Sequence, residues 1–434
     1  MKANTTAAFL GLLATSTSIV SNTVEAIFGR TNTTVSPPPF GYTAGSPESI
    51  ANLKDKIKHV VWVLLENRSF DNILGGVNRP GSTIRQQRGC VHPRERNRPS
   101  VTQCTRSKDF DSVLQDPDHS VTGNNFEFYS TFVPTDAAIQ NGSLTATNQG
   151  FIQQQMLVWG PLGGENNTVA LSAAQVMGYY DEAEPTNPNR ACALSGTSDG
   201  HGTNDNDFET ASIDVNSIFE TASAHDISWL NYDGTNGAFA PDALFYTWTA
   251  ANAPGNLSYL NPSCCDGNTN SMHPTGNVSY GQVFVKQIYD AVRQGPHWND
   301  TLLVLTYDES GGFHDHVPSP IAVRPDNKTY SETALDGETY TFLFDRLGGR
   351  MPTWLISAFT PAGFIENLGT NPATGKPEAY SATSVLKTLG LLWDFADFTP
   401  RVSNSPSFDH LVGPKMRMDA PLVLTPPSPF PFAT

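Results

Sequence analysis

Two apolar runs constrain this chain more than anything else in it: Val60 to Leu65, and Leu302 to Leu305 within Thr301-Leu302-Leu303-Val304-Leu305-Thr306-Tyr307. Neither approaches the roughly 20 residues that a membrane helix needs. Neither alternates as a strand with one wet face would, so both read as strands covered on two faces, the kind found in parallel sheets wrapped by helices. Each run stops abruptly on polar residues, Glu66-Asn67-Arg68-Ser69-Phe70-Asp71 after the first and Asp308-Glu309-Ser310-Gly311-Gly312 after the second. Open α/β sheets bind their ligands in the crevice beyond the carboxyl ends of the strands, which makes these two tips the first place to look for chemistry. The plainer reading of either tip alone is a turn cluster that closes a strand.

The rest of the chain keeps a β-α-β rhythm. Ser217 to Ala224 reads as an amphipathic helix and Ile227 to Tyr232 as a strand. Val283, Val285, Ile288 and Val292 mark a helix over Gln282 to Arg293, stopped by Gly295-Pro296. Thr353 to Ser357 reads as a short strand, Ser381 to Phe395 as a helix, and Leu171 to Val176 as a helical stretch. The fold expected is α/β with a mostly parallel sheet, and 35 Gly and 32 Pro in 434 residues make it loop-rich.

Charge narrows the partners. With 26 Lys and Arg against 42 Asp and Glu, a formal net charge of −16, nucleic acid is a poor partner, because phosphate backbones reward basic patches. Lys2, the small apolar stretch Ala7 to Val20 and the Val24-Glu25-Ala26 cleavage pattern read as a secretory signal peptide over residues 1–26. An extended lead-in over 27–57 follows, then one catalytic domain over 58–400 and a Pro-rich surface arm over 401–434. Sequons at Asn32, Asn141, Asn166, Asn256, Asn277, Asn299 and Asn327 agree with export, while Asn67, at the end of a buried strand, matches the pattern without being a plausible acceptor. Five cysteines fit an oxidising compartment and leave one over. Cys90 with Cys104 is the expected local bridge, and the adjacent Cys264 and Cys265 are expected to pair with distant partners rather than with each other.

Asp308 and Glu309 are costly to bury unless a cation compensates them. With Glu66 and the amide oxygen of Asn67 they make an oxygen-rich set suited to Ca²⁺, Mg²⁺ or Mn²⁺, with Zn²⁺ admitted if histidines contribute. Gly311-Gly312 allows a tight turn against a ligand. His314 and His316 share a face if that piece is extended. Two prolines, Pro185 and Pro188, make a rigid turn around Thr186, and a histidine, His119, follows Asp116-Pro117-Asp118; both arrangements also occur as simple turns.

Three of these segments, in order, resemble the signatures of the phosphoesterase family of bacterial and fungal phospholipases C and acid phosphatases. They are Glu66-Asn67-Arg68-Ser69-Phe70-Asp71, Pro185-Thr186 with Pro188-Asn189-Arg190, and Tyr307-Asp308-Glu309 with Gly311-Gly312 and Asp315-His316-Val317. The resemblance covers Lys58 to Leu392 and implies an alkaline-phosphatase-like three-layer α/β/α sandwich and a secreted, metal-dependent hydrolase of phosphate esters. It implies Glu66, Asn67, Asp308 and Glu309 as ligands of a divalent metal ion, Thr186 as nucleophile, His119, His273 and His316 as phosphate-binding or proton-handling groups, and Asn189 and Arg190 as substrate-binding residues. A phospholipid diester, met by transient contact with a membrane surface, is the substrate that the resemblance favours. A soluble phosphomonoester is the alternative. The block that in this family separates the Met177-Gly178-Tyr179-Tyr180 segment from the Pro-Thr turn is absent here, an apparent internal deletion near 181–185. Loss of sheet beside the nucleophile would leave a third possibility, a secreted glycoprotein that keeps the fold with impaired catalysis.

Overall fold

The computed structural model describes residues 37–74, 113, 115–159, 177–182, 185–204, 213–233 and 255–427. The signal peptide, Cys90, Cys104, the sequons at Asn32 and Asn166 and the stretch Leu171 to Val176 lie outside the described residues.

Among the described residues, eight strands form one mixed, mostly parallel sheet in the order β3-β4-β1-β5-β8-β2-β10-β9. The strands are β1 (His59–Leu65), β2 (Met177–Tyr180), β3 (Trp229–Asp233), β4 (Leu257–Asn261), β5 (Thr301–Tyr307), β8 (Arg350–Ile356), β9 (Leu368–Thr370) and β10 (Pro377–Ser381). A separate two-stranded sheet pairs β6 (Tyr330–Thr333) with β7 (Thr339–Phe342). The β3, β4, β1 and β5 strands run parallel to one another, while β8 is antiparallel to both β5 and β2. The two apolar runs of the sequence are the central neighbours β1 and β5. Their residues are buried apart from His59 at the edge, as strands covered on both faces must be. Helices Val278–Gln294 and Ala382–Trp393 add Phe284, Ile288 and Val292, and Val385, Leu386 and Leu389, to the core around Trp62.

Three boundaries differ from those read in the sequence. The lead-in is not extended throughout. Residues Pro47–Lys56 form a helix, with the Ser46 side chain accepting the Ser49 N–H, Pro at the first turn, and Lys54 and Lys56 at the carboxyl end where cations suit the helix dipole. The rigid turn around Thr186 opens a ten-residue helix, Thr186–Ser195, closed by Gly196 in the left-handed region. The chain after residue 400 does not stand off as an arm at once. Val402, Phe408, Leu411 and Val412 join the core, and Arg401 is buried against Glu182, with Nη1 2.6 Å from Oε2. Leu422 and Val423, further on, are exposed.

Candidate active site

The register of β1 on β5 sets the site. Leu65 pairs with Tyr307, so Glu66 and Asp308 leave adjacent parallel strands at the same level. The Asp308 N–H donates to the Leu65 carbonyl at 3.0 Å, and the Arg68 N–H to the Glu309 carbonyl at 3.0 Å. The Asn67 N–H donates to Asp308 Oδ1 at 3.1 Å. Asn67 adopts a φ of 50°, a left-handed conformation that asparagine tolerates better than most residues. The close approach of Gly311 allows this turn: at its φ of 64°, a Cβ added there would stand 2.6 Å from Asn67 Cβ. Arg68 clamps a third segment onto the tips, its Nε donating to the Met272 carbonyl at 2.7 Å beside His273.

Glu309 Oε1 gathers three of the residues singled out in the sequence. Thr186 Oγ1 donates to it at 2.9 Å, Asn67 Nδ2 donates to it, and His119 Nε2 lies 3.2 Å away. Burial disfavours a charged His119, but Glu309 and Asp116 outweigh it and push the imidazole up to about 10. Its Nδ1 donates to the Pro117 carbonyl at 2.5 Å. His273 hydrogen-bonds Thr275 Oγ1 at 2.9 Å and lies 3.4 Å from Asp116 Oδ2; burial opposes its charge, and Asp116 nevertheless raises it. Arg190 spans the tips, with Nη2 2.7 Å from Glu66 Oε1 and Nε 2.9 Å from Asp308 Oδ2. Asn189 is buried, its Oδ1 accepting the Glu182 N–H at 2.8 Å. Despite the short junction after Tyr180, helix Thr186–Ser195 thus brings Thr186 to the strand tips.

The oxygen set fits a cation. Glu66 and Glu309 are 4% and 0% exposed, and the Asn67 Oδ1 atom is buried without a hydrogen-bond partner, a donor left for something other than protein. Burial drives the Glu66 carboxyl up to about 7 despite Arg190, and raises Asp308 as well, the response of acids whose charge is under-compensated. Carboxylates with a carboxamide oxygen are the hard donors of Ca²⁺, Mg²⁺ and Mn²⁺, and the neighbouring imidazoles extend the range to Zn²⁺.

His316 belongs to a separate cluster. Its Nδ1 lies 2.7 Å from Asp71 Oδ2, and its N–H donates to the same oxygen at 2.9 Å. Arg350 Nη2 sits 3.3 Å from Asp71 Oδ1 and 3.1 Å from Asp315 Oδ1, and Asp71 N–H donates to Asp315 Oδ2 at 3.3 Å. His316 Nε2 is left without a hydrogen-bond partner. Asp71 and Asp315 were only letters in a motif in the sequence. The Asp-His pairing that orients the ring is visible once helix Phe70–Leu74 folds beside the Gly311-Gly312 turn.

This pair has a pH signature. Burial pushes Asp71 up, but the hydrogen bond and charge of His316, with Arg350, hold it down at about 2. Burial opposes a charged His316, and Asp71 raises it nonetheless. The histidine's contribution to stability is therefore complete below its ordinary value near 6.5 and is lost as pH rises through the raised value. That of Asp71 is present above about 4 and lost as pH falls through about 2. The melting temperature of His316→Gln is expected to fall furthest below that of the unsubstituted protein between pH ~4 and ~6.5 and to approach it at higher pH. A difference independent of pH would contradict the pairing.

The cysteines correct one expectation. Cys264 and Cys265 lie at disulfide distance from each other, not from distant partners. Their loop is closed on itself by Ser263 and Asn270, the Ser263 N–H donating to Asn270 Oδ1 at 2.8 Å, which keeps both sulfurs in one short turn against Glu66. Cys192 is a buried free thiol in the helix that starts at Thr186.

Comparison with known proteins follows the same segments. The description "Phosphoesterase family" matches residues 57–254 and 245–396. Non-specific phospholipase C6 of Arabidopsis thaliana is 30% identical over 416 residues, which is 85% of this chain and 75% of that protein. Non-specific phospholipase C4 of the same plant is 27% identical over 86% of this chain and 74% of its own length. The hemolytic phospholipase C of Pseudomonas aeruginosa is 22% identical over 77% of this chain and 52% of its own length.

Proposed function

The chain belongs to the phosphoesterase family and is a phosphoric ester hydrolase; from that premise we propose that it is a secreted, divalent-metal-dependent phospholipase C that attacks phosphorus with Thr186. The observation that carries this reading is the hydrogen bond from Thr186 Oγ1 to Glu309 Oε1 at 2.9 Å, inside a buried set of oxygen donors. Glu66, Asn67, Asp308 and Glu309 would hold the ion, which supplies positive charge against the phosphate oxygens and lowers the cost of ionising a hydroxyl. Thr186 also opens a ten-residue helix, whose positive end suits a phosphate anion. The fold we assign is the three-layer α/β/α sandwich of the alkaline-phosphatase type.

The chemistry of the side chains is then an in-line displacement. The Thr186 oxygen bonds to phosphorus while its proton passes to Glu309, already its hydrogen-bond acceptor. The bond from phosphorus to the glycerol oxygen breaks, and a histidine, His119 or His273, hands the departing alcohol a proton. Water then bonds to phosphorus and gives a proton to that histidine while the bond from phosphorus to Thr186 Oγ1 breaks and Oγ1 takes its proton back from Glu309, releasing the phosphorylated head group. We assign His316, oriented by Asp71 in its own cluster, a proton-handling role, while Arg190 orders the two strand tips and adds positive charge. The short junction after Tyr180 leaves Thr186 against Glu309, an arrangement that supports an active enzyme over an impaired glycoprotein.

The purified protein, offered phosphatidylcholine, phosphatidylglycerol and soluble phosphomonoesters, is expected to release phosphocholine or phosphoglycerol together with diacylglycerol. Inorganic phosphate from monoesters alone would replace this reading with an acid phosphatase, and no product from any of them would remove the nucleophile assignment.

A further inference from the structure

We propose that His59, His297 and Asp300 form a second metal site, for a divalent first-row transition ion of the zinc class, at the end of the sheet opposite Glu66 and Asp308. One ligand atom from each of the three side chains lies within 4.8 Å of the others. His59 is the first residue of β1, and Asp300 immediately precedes β5, so the cluster stands a seven-residue strand, about 20 Å, from the strand tips. It shares no residue with them.

The orientation of His59 is what makes this more than a polar cluster. Its Nδ1 lies 3.1 Å from the Gly255 carbonyl, an acceptor, so Nδ1 carries the proton and Nε2 keeps its lone pair for a ligand. Metal-bound histidines are held in this way, by a carbonyl or carboxylate at the far ring nitrogen. The His59 and His297 rings face each other edge on, with centroids 4.4 Å apart, and His297 Nδ1 stands 3.3 Å from Asp300 Oδ1. The backbone beneath is fixed. The Lys58 N–H donates to the Asp300 carbonyl at 2.8 Å, Thr301 Oγ1 donates to the His297 carbonyl at 2.6 Å, and His59 pairs with Thr301 in the sheet. Side chains on such a base need little ordering to bind.

Donor chemistry selects the ion. Two imidazoles and one carboxylate suit Zn²⁺, Cu²⁺ or Ni²⁺, whereas Ca²⁺ and Mg²⁺ prefer the oxygen set at the other end of the strands. Ligands around a tetrahedral zinc ion stand roughly 3.3 Å apart. The side chains of His297 and Asp300 are 31% and 35% exposed, so they can rotate to close that gap and leave a fourth position to water. An ion here would tie the approach to β4 at Gly255, the start of β1 and the turn before β5 into one unit. Because the unfolded chain lacks the site, binding would stabilise the fold.

The test uses the full chain, stripped with a chelator and titrated with Zn²⁺, followed by metal analysis and melting temperature, and with Cu²⁺, followed by electron paramagnetic resonance. The expected result is a zinc-dependent rise in melting temperature and a copper signal split by two imidazole nitrogens. His297→Ala and Asp300→Asn should each weaken zinc binding at least ~10-fold and cancel the rise in melting temperature, with phosphate ester hydrolysis unchanged. Asp308→Asn, by contrast, should retain the zinc-dependent rise in melting temperature. Asp300→Asn keeps the shape of the side chain and decides the matter if His297→Ala does not fold. Zinc affinity and melting behaviour indifferent to both substitutions would overturn the site.

Discussion

Thr186→Ala is expected to lower kcat by at least about 10³-fold, the order of loss that follows removal of a nucleophile that acts as one unit with its partners. The substitution removes the Oγ1 that donates to Glu309, on a half-buried residue at the first position of helix Thr186–Ser195, where alanine is well tolerated. Folding and metal content should therefore be unchanged, which separates this outcome from collapse of the site. Thr186→Ser, which restores a hydroxyl in nearly the same place, should recover much of the rate. Brief turnover of phosphatidylcholine followed by acid quench should leave phosphocholine bound to the unsubstituted protein and to the Ser variant, and none on the Ala variant. An Ala variant with ordinary turnover would transfer the attack to water or to another side chain and would leave Thr186 as a residue of the helix's first turn only.

Much of this architecture was legible from the chain because its two central strands are apolar on both faces, and only a buried parallel sheet accommodates such runs. The same runs locate the strand tips, and the cost of burying Asp308 and Glu309 singles them out as candidate ligands of a cation. What escaped was set by pairing at a distance. β4 is five residues within a polar loop, and its strand character comes from the parallel neighbours β3 and β1. The β10 strand begins with Pro377 and carries charged Glu378, and it is held by β2 and β9. The Asp71–His316 pair joins residues 245 positions apart, and spacing along the chain contains no trace of it. Helix Pro47–Lys56 was the opposite case. Its Ser46-Pro47-Glu48 start signal was present, and the Pro- and Gly-rich residues before it masked a ten-residue helix.

Removing one strand-tip carboxylate should also be strongly damaging, for a different reason. Asp308 accepts the Asn67 N–H at 3.1 Å and pairs with Arg190 at 2.9 Å, so beside its proposed role as an ion ligand it holds Asn67 in its left-handed turn. Asp308→Asn keeps the size and an acceptor oxygen while losing the charge. Loss of a ligand's charge weakens divalent binding, and a displacement of about 1 Å in the remaining donors can cost some 10²-fold in rate. Activity is expected to fall by about 10²-fold or more at ordinary metal concentration and to be partly recovered by excess ion. Chelation of the unsubstituted protein should reproduce the loss reversibly.

The most direct measurement is the number of divalent ions bound per chain, by elemental analysis, in the unsubstituted protein and in Asp308→Asn prepared side by side and assayed together. The account predicts that Asp308→Asn carries one ion fewer per chain and has lost its phosphate ester hydrolysis in the same proportion. Equal ion content in the two proteins, or full activity in a chain stripped of divalent ions, would contradict it.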